Sequence, residues 1–325
     1  MTDVGNRLLI LGCGYSGRAI GGQFRLAGWR VKGTTRSADG AERLRAAAIE
    51  PLIFDGRAPS AEVSGALASA THVVASIGPD AKGDPVLMHH LEDMRKASRL
   101  QWIGYLSTVG VYGNHDGAWV DEDSAPRPVS ERSIRRIGAE QAWRDLGRTC
   151  GIPVQVFRLS GIYGPGRSPF DKLRTGTARR LIKSGQVFNR IHVDDIAGAV
   201  LAAAASLNEP PSGLGTSAPG PLLRNLIFSN VIFNVTDDLP APPQDVIAYA
   251  ADLLGVAAPP EIPFESAALS PMARSFYGEN KRVRNDRMKH ALGYRLRYPT
   301  YREGLRSLLA DAVPTEASRN AGKQP

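Results

Sequence analysis

Short apolar runs alternate with longer amphipathic stretches along most of the chain. Apolar runs bounded by turn residues are typical of buried strands, and apolar residues three or four positions apart are typical of helices. The pattern predicts strands at 8–11, 29–34, 51–54, 72–76, 102–107, 154–159 and 232–235. It predicts helices after the first strand, at 61–70, 85–99, 130–146, within 169–185, and at 192–207, 244–254 and 301–310. This alternation predicts an α/β fold with a parallel sheet.

The first apolar run ends in a glycine-rich turn. Gly12, Gly14 and Gly17 have the spacing G-x-G-x-x-G between a predicted strand and an amphipathic helix. There the first glycine makes a tight bend, the second lets the backbone approach phosphates, and the third lets helix and strand pack closely. The N–H groups at the helix start, which carries Tyr15 and Ser16, form a pyrophosphate site. We therefore predict a Rossmann-type doubly wound sheet that binds a dinucleotide.

Residues after the next predicted strands bear on the choice of dinucleotide. Arg36 lies about 20 residues past the fingerprint, where a carboxylate binds the 2′-hydroxyl of NAD and a guanidinium accommodates the 2′-phosphate of NADP. We expect NADP first and NAD second, and Asp39 would favour NAD if it turned inward. Asp55 is placed to touch the adenine. The small residues Ser76 and Gly78 leave room for the ribose and nicotinamide.

The charge balance is basic, with a formal net charge of +8 over 325 residues. The arginines are scattered and no recognisable nucleic-acid module is present, so we expect no nucleic-acid partner. The excess of positive charge favours a small anionic substrate and a phosphorylated cofactor.

The apolar stretches and the N-terminal sequence bear on where the protein is located. The longest weakly polar stretch, 196–207, is far shorter than the roughly 20 residues that span a bilayer. The N-terminus lacks a signal-peptide pattern. We therefore expect a cytoplasmic protein with no membrane span.

Cys13 and Cys150 are expected to form no disulfide. We also expect no metal site, because no further ligand cluster accompanies Asp194 and Asp195.

Five segments carry a family resemblance: GCGYSG at 12–17, STVGVYG at 107–113, RLSGIYGPGR at 158–167, HVDDIAGAV at 192–200 and FNVTDD at 233–238. With them the sequence resembles the extended and atypical short-chain dehydrogenase/reductases, the NAD-dependent epimerase/dehydratase family. The resemblance implies an NAD(P)-dependent oxidoreductase or epimerase/dehydratase that acts on a carbonyl or carbinol carbon. Nucleotide sugars are the family's commonest substrates. It also implies that Thr108 holds the substrate oxygen and that a homodimer could form through the helices after strands four and five.

The sequence departs from this family at the Tyr-x-x-x-Lys dyad. Alignment of the predicted helix 130–146 places Arg136 in the lysine position and Arg132 in the tyrosine position. Arg136 can still donate to a ribose hydroxyl. Arg132 cannot be the acid, because a guanidinium with a pKa above roughly 12 releases no proton at neutral pH. The alternative function is a catalytically impaired NADP-binding regulatory or scaffold protein.

Several residues are open candidates for the missing proton donor. His192 has a suitable intrinsic pKa, although this position braces two lobes in the family. The family counterparts of Tyr112 and Tyr163 are structural. A literal Tyr-x-x-x-Lys motif begins at Tyr277. It lies in the C-terminal part of the chain, where Tyr277 could face the cleft or lie in an exposed turn.

Two discontinuous domains are predicted. Residues 1–160 and 190–235 form the NAD(P)-binding domain, residues 161–189 and 236–312 form a small substrate lobe, and 313–325 form a disordered tail. The substrate lobe begins with a predicted helix that carries Arg179, Arg180 and Lys183. These cations suit an anionic ligand, although a solvated helix face is the default interpretation.

Overall fold

The protein is described by a computed structural model that covers residues 5–206 and 230–310. Its strands, in chain order, are β1 (Arg7–Leu11), β2 (Arg30–Thr35), β3 (Glu50–Ile53), β4 (His72–Ala75), β5 (Trp102–Thr108), β6 (Trp119–Val120), β7 (Val154–Leu159), β8 (Gly161–Tyr163), β9 (Arg180–Ile182), β10 (Arg190–His192), β11 (Ile232–Val235), β12 (Glu261–Pro263) and β13 (Arg282–Val283). Seven of them form the central sheet in the order β11-β7-β5-β4-β1-β2-β3, and all its pairs are parallel. The strand order reverses beside β1. Ligands of such sheets bind at this switch point, outside the carboxyl ends of the strands.

The described helices are α1 (Tyr15–Leu26), α2 (Ala38–Ala46), α3 (Ala61–Ser69), α4 (Pro85–Lys96), α5 (Glu131–Cys150), α6 (Pro169–Arg174), α7 (Val193–Ala205), α8 (Pro243–Leu253), α9 (Pro271–Tyr277), α10 (Asp286–Leu292) and α11 (Tyr301–Ala310). Successive strand residues point to opposite faces of the sheet. Leu8 and Ile10 therefore pack with α1 and α7, and Leu9 and Leu11 pack with α3, α4 and α5. Burial on both faces explains why β1 reads as an unbroken apolar run.

A smaller lobe covers the carboxyl edge of the sheet. Helices α6, α8 and α11 pack around a core that includes Phe170, Val246 and Leu305. Three short parallel strand pairs accompany them: β8 with β10, β9 with β12, and β6 with β13. The pairing of β8 with β10 joins segments that the sequence assigned to different domains, and the predicted domain boundaries stay a prediction.

Most predicted elements are confirmed, and β11 and α11 have the predicted bounds. The helix predicted to carry Arg179, Arg180 and Lys183 is wrong, because α6 ends at Arg174 and Arg180 begins β9. The tail predicted at 313–325 lies outside the described residues. No helix of the described ranges combines the length and the apolar character that a membrane crossing needs.

Candidate active site

The glycine-rich turn between β1 and α1 has the geometry that the fingerprint predicts. Gly12 has a φ of +89°, and a Cβ there would lie 2.7 Å from Ile77 Cγ1. Gly14 is exposed, and a Cβ there would meet nothing within 4 Å. A Cβ at Gly17 would lie 3.2 Å from Ile10 Cγ2 in β1. The turn thus combines a tight bend, an open approach and a close-packed helix start, which together fit a pyrophosphate.

Tyr15 and Ser16 begin α1 and have different neighbours. Ser16 lines the large cavity described below. The Tyr15 hydroxyl donates to the Pro165 carbonyl oxygen at 3.1 Å, and the Arg167 guanidinium lies over the Tyr15 ring at 5.7 Å from its centroid. The loop after β8 therefore carries a cation to the edge of the glycine-rich turn. A guanidinium there fits a phosphate oxygen.

The residues predicted to contact the adenosine lie at the same edge of the sheet. Arg36 follows β2, which pairs with β1, and its side chain is exposed. Asp39 is also exposed, in the first turn of α2. Asp55 lies beyond β3 and accepts a hydrogen bond from Arg57 N at 2.9 Å. Arg36, Asp39 and Asp55 therefore follow β2 and β3, which lie on one side of β1. The strands whose ends line the cavity, β5 and β7, lie on the other side.

A cavity of about 910 Å³ extends from the carboxyl edge of the sheet into the small lobe. Ser16, Ser76 and Thr108 line its sheet side, and parts of 166–172, 187–190 and 275–281 line its lobe side. Two carboxylates, Asp171 and Glu279, face it. The cationic side chains that line it are Arg132, Arg136, Arg167, Lys172, Arg190 and Lys281. This excess of cations suits an anionic ligand.

Arg136 is fixed at the sheet end of the cavity. Its Nη1 donates to the Tyr105 hydroxyl and to the Leu106 carbonyl oxygen, both at 3.0 Å. Its Nη2 would lie 3.4 Å from a Cβ on Gly78. Its Nε is buried and has no hydrogen-bond partner among the described residues. The Nη2 side of the guanidinium, which lies beside Gly78, is therefore the part that can donate to a ligand oxygen there, as the ribose assignment requires.

Arg132 lies one helical turn nearer the start of α5, which Ser130 caps by accepting from Ser133 N at 3.2 Å. The Arg132 guanidinium lies over the Phe276 ring of α9, 5.4 Å from its centroid. Because Phe276 belongs to the small lobe, this contact crosses the cavity. Arg132 and Arg136 are four residues apart, which places both on one face of the helix.

Thr108 closes β5 at the cavity wall. Its Oγ1 accepts from Gly110 N at 3.1 Å. That bond orients the side chain and leaves the hydroxyl hydrogen for donation to a ligand. The predicted role as a hydrogen-bond donor to a substrate oxygen is therefore compatible with its position.

Two of the candidate proton donors, His192 and Tyr112, are engaged in the protein interior, whereas Tyr163 lines the cavity and its hydroxyl donates to the Thr300 carbonyl oxygen at 3.5 Å. His192 is buried and is not among the cavity-lining residues; its Nδ1 accepts from Asp194 N at 3.2 Å at the start of α7, and its ring lies 4.2 Å from that of Tyr298. The Tyr112 hydroxyl donates to Asn234 Oδ1 at 2.8 Å. Burial raises the pKa of Tyr112 and of Tyr163. His192 therefore lies outside the cavity lining, and the catalytic role considered from its intrinsic pKa stays a prediction.

The literal Tyr-x-x-x-Lys motif is split between two environments. Tyr277 does not line the cavity, and its ring stacks on Phe264 at 4.9 Å in the apolar core of the lobe. This packing corrects the hypothesis that Tyr277 faces the cleft. Lys281 does line the cavity, where its Nζ donates to the Gly113 carbonyl oxygen at 2.8 Å and to Glu279 Oε2 at 2.6 Å. Lys281 therefore joins the loop after β5 to the small lobe.

The cations assigned to the substrate lobe hold the lobe together instead. Arg179 donates to the Ala268 carbonyl oxygen, Arg180 pairs with Glu261, and Lys183 donates to the Tyr277 carbonyl oxygen. None of the three lines the cavity. The positive side of the cavity comes from other residues, chiefly on α5 and on the 167–172 segment.

A buried ion pair behind the site was not predicted. Arg158 Nη2 lies 2.8 Å from Glu140 Oε2, and both side chains are almost fully buried. The Arg158 guanidinium also lies over the Tyr112 ring, 4.8 Å from its centroid. The available signal was the spacing of Glu140 four residues after Arg136, which places a carboxylate on the inner face of the helix.

Comparison with known proteins agrees with this geometry. The model of the NAD dependent epimerase/dehydratase family matches residues 8–214, and the chain belongs to that family. A solved conserved protein of unknown function from Silicibacter pomeroyi is 47% identical, with a TM-score of 0.79 over 94% of this chain and 99% of that one. Protein YeeZ of Escherichia coli (strain K12) is 26% identical over 232 residues, 68% of this chain and 81% of its own. The 3-diazoavenalumate denitrifying reductase of a Streptomyces species is 28% identical over 202 residues, 57% of this chain and 58% of its own.

Proposed function

We propose that the protein is an NADP-dependent oxidoreductase that acts on a carbonyl or carbinol carbon of a small anionic substrate. One observation supports this most: a single cavity is lined by Ser16 of the dinucleotide turn, by Thr108 and by the cations of the small lobe. A cofactor on the turn and a substrate in the lobe would therefore meet in one space. The family and the reductase relative favour redox chemistry.

The preference for NADP over NAD rests on Arg36. Its guanidinium is exposed directly after β2, at the edge where the adenosine ribose of such folds lies. A guanidinium pairs with a phosphate through two parallel hydrogen bonds. Asp39 is also exposed on the following helix, so the proposal requires Arg36 rather than Asp39 to face the ribose.

We assign a separate role in the reaction to each of the residues that line the cavity. A bound nicotinamide would accept a hydride from the carbinol carbon, or donate one to the carbonyl carbon. Thr108 would donate a hydrogen bond to the substrate oxygen, and Arg136 would hold the ribose through the Nη2 side of its guanidinium, beside Gly78. Arg132 cannot exchange the proton of that oxygen. We assign that proton to solvent water, because the exposed Arg132 side chain lies at a water-accessible part of the cavity.

A deuterium-exchange experiment tests this function. The protein is incubated with NADP⁺, stereospecifically deuterated NADPH, and a panel of sugar nucleotides and simple hydroxy and keto acids. Transfer of deuterium to a substrate, lost in Thr108→Val, supports the proposed activity. Tight NADPH binding without any transfer would instead support the regulatory or scaffold function.

A further inference from the structure

Arg132 is a cation that lines the cavity, and the proposed reaction gives it no proton to move. Among residues 5–206 and 230–310, neither Arg132 nor the cavity-lining Arg167 and Lys172 forms an ion pair with a carboxylate. Its neighbour Arg135 differs, because its Nη2 lies 2.5 Å from Glu131 Oε2 and it does not line the cavity. Arg132 and Arg135, three residues apart on α5, therefore differ: the charge of Arg135 is neutralised by Glu131, and the charge of Arg132 faces the cavity.

The surroundings of Arg132 orient its guanidinium. The guanidinium carbon lies 5.4 Å from the centroid of the Phe276 ring, and this contact leaves the N–H groups available to a ligand. Ser130 and Ser133, also in the cavity lining, flank it on the same helix. A guanidinium presents a planar fork of donors that matches a carboxylate in two parallel hydrogen bonds. The cavity lining also includes apolar side chains such as Val109 and Leu106.

The position of Arg132 relative to the cofactor residues identifies which part of the substrate it would meet. Arg136, one helical turn away, is fixed against β5 beside Gly78. One turn of helix advances about 5.4 Å. Arg132 therefore lies a short distance from the ribose end of the site, in the lining of the same cavity as Thr108.

We infer that Arg132 binds a carboxylate of the substrate next to the carbon that exchanges the hydride, so that the substrates are small organic acids. This inference rests on the proposed function. It explains why a cation occupies the position of the family's proton donor: the residue recognises a charge that is already on the substrate. Phe276 then favours acids with an apolar or aromatic body, which would lie against the same ring and the apolar wall.

Calorimetry on the NADP⁺-saturated protein tests the inference with three probes: 3-phenylpropionate, its neutral amide 3-phenylpropionamide, and phenyl phosphate. We expect the carboxylate to bind about tenfold to hundredfold more tightly than the amide, as the loss of one charged hydrogen-bonded contact implies. Arg132→Met removes this difference, and the matched control Arg135→Met keeps it. Arg132→Lys, which keeps the charge but not the fork, restores only part of it.

Other outcomes have distinct meanings. A wild-type protein that binds NADP⁺ but shows no preference for the acid over the amide overturns the inference, as does a preference that survives in Arg132→Met. Tighter binding of phenyl phosphate than of the carboxylate also overturns it, because the site would then be a phosphate site. Failure to bind NADP⁺ at all would instead contradict the proposed function, and it is measured in the preceding titration.

Discussion

The Ser107 hydroxyl donates to Glu140 Oε1 at 2.5 Å, and this bond ties the strand that carries Thr108 to the buried pair of Glu140 with Arg158. Arg158 Nε donates to the same carboxylate oxygen at 3.1 Å. Glu140 on α5 thus fixes β5 and β7 together beneath the cavity. The same helix carries Arg132 and Arg136, so the pair sets the position of both arginines relative to Thr108.

Breaking this pair should destabilise the protein strongly. Glu140→Gln leaves the buried Arg158 charge unbalanced, and loss of one partner of a buried pair costs about 3–5 kcal/mol of the free energy of unfolding. Urea denaturation measures it. Asp145→Asn removes the exposed pair of Asp145 with Arg148 on the same helix and should cost less than about 1 kcal/mol. Equal, small effects of the two changes would contradict this account.

The stability of the protein should fall in acid because of His72. Burial between Trp29 and Trp102 lowers the pKa of His72 to about 4, so the unfolded chain binds a proton between about pH 6.5 and 4 that the folded chain does not. This contribution is fully present above pH 6.5 and is lost as the pH falls toward 4, with a slope of at most about 1.4 kcal/mol per pH unit. His72→Phe should flatten this part of the profile in urea denaturation. An unchanged slope would show that His72 titrates normally in the fold.

The backbone at Gly12 should tolerate no side chain. Alanine there must adopt a φ of +89° and place its Cβ 2.7 Å from Ile77, so we expect a loss of about 2 kcal/mol or more in the free energy of unfolding. Gly14→Ala is the matched control, because its Cβ would meet nothing within 4 Å. It should unfold like the wild type. Equal denaturation midpoints for Gly12→Ala and wild type would be evidence against the tight bend.

The coenzyme preference should depend on Arg36. Arg36→Ala should weaken NADPH binding by about tenfold to hundredfold, because one charged hydrogen-bonded contact is lost, and should leave NADH binding unchanged. Fluorescence titration with each coenzyme measures both. The exposed Arg43 on the following helix provides the control, and Arg43→Ala should change neither affinity. Equal losses of NADPH and NADH in Arg36→Ala would contradict the NADP assignment.

The parts of the protein that sequence patterns predicted are those set by neighbouring residues. The central strands are buried on both faces and read as apolar runs, and the glycine-rich turn is a local motif between two of them. The short strand at Arg180 was missed because its partner, Glu261, lies far along the chain. The lining residue Phe276 was missed for the same reason, because packing of the small lobe brings it to Arg132. Lys281, the last residue of the literal Tyr-x-x-x-Lys motif, was noted in the sequence, but its bond to the Gly113 carbonyl oxygen was not. No local pattern encodes such contacts.

The central claim is that a nicotinamide dinucleotide lies with its pyrophosphate on the turn from Gly12 to Gly17. Calorimetric titration of wild-type protein and Gly14→Ala with NADPH tests it most directly. The added methyl group would occupy the space through which the phosphates approach the backbone, and it would contact no other residue within 4 Å. We predict saturable binding to the wild type and an affinity at least about tenfold lower in the variant, since the lost phosphate contact is charged. No heat from the folded wild type with millimolar NADPH or NADH, or the same affinity in both proteins, would contradict the claim.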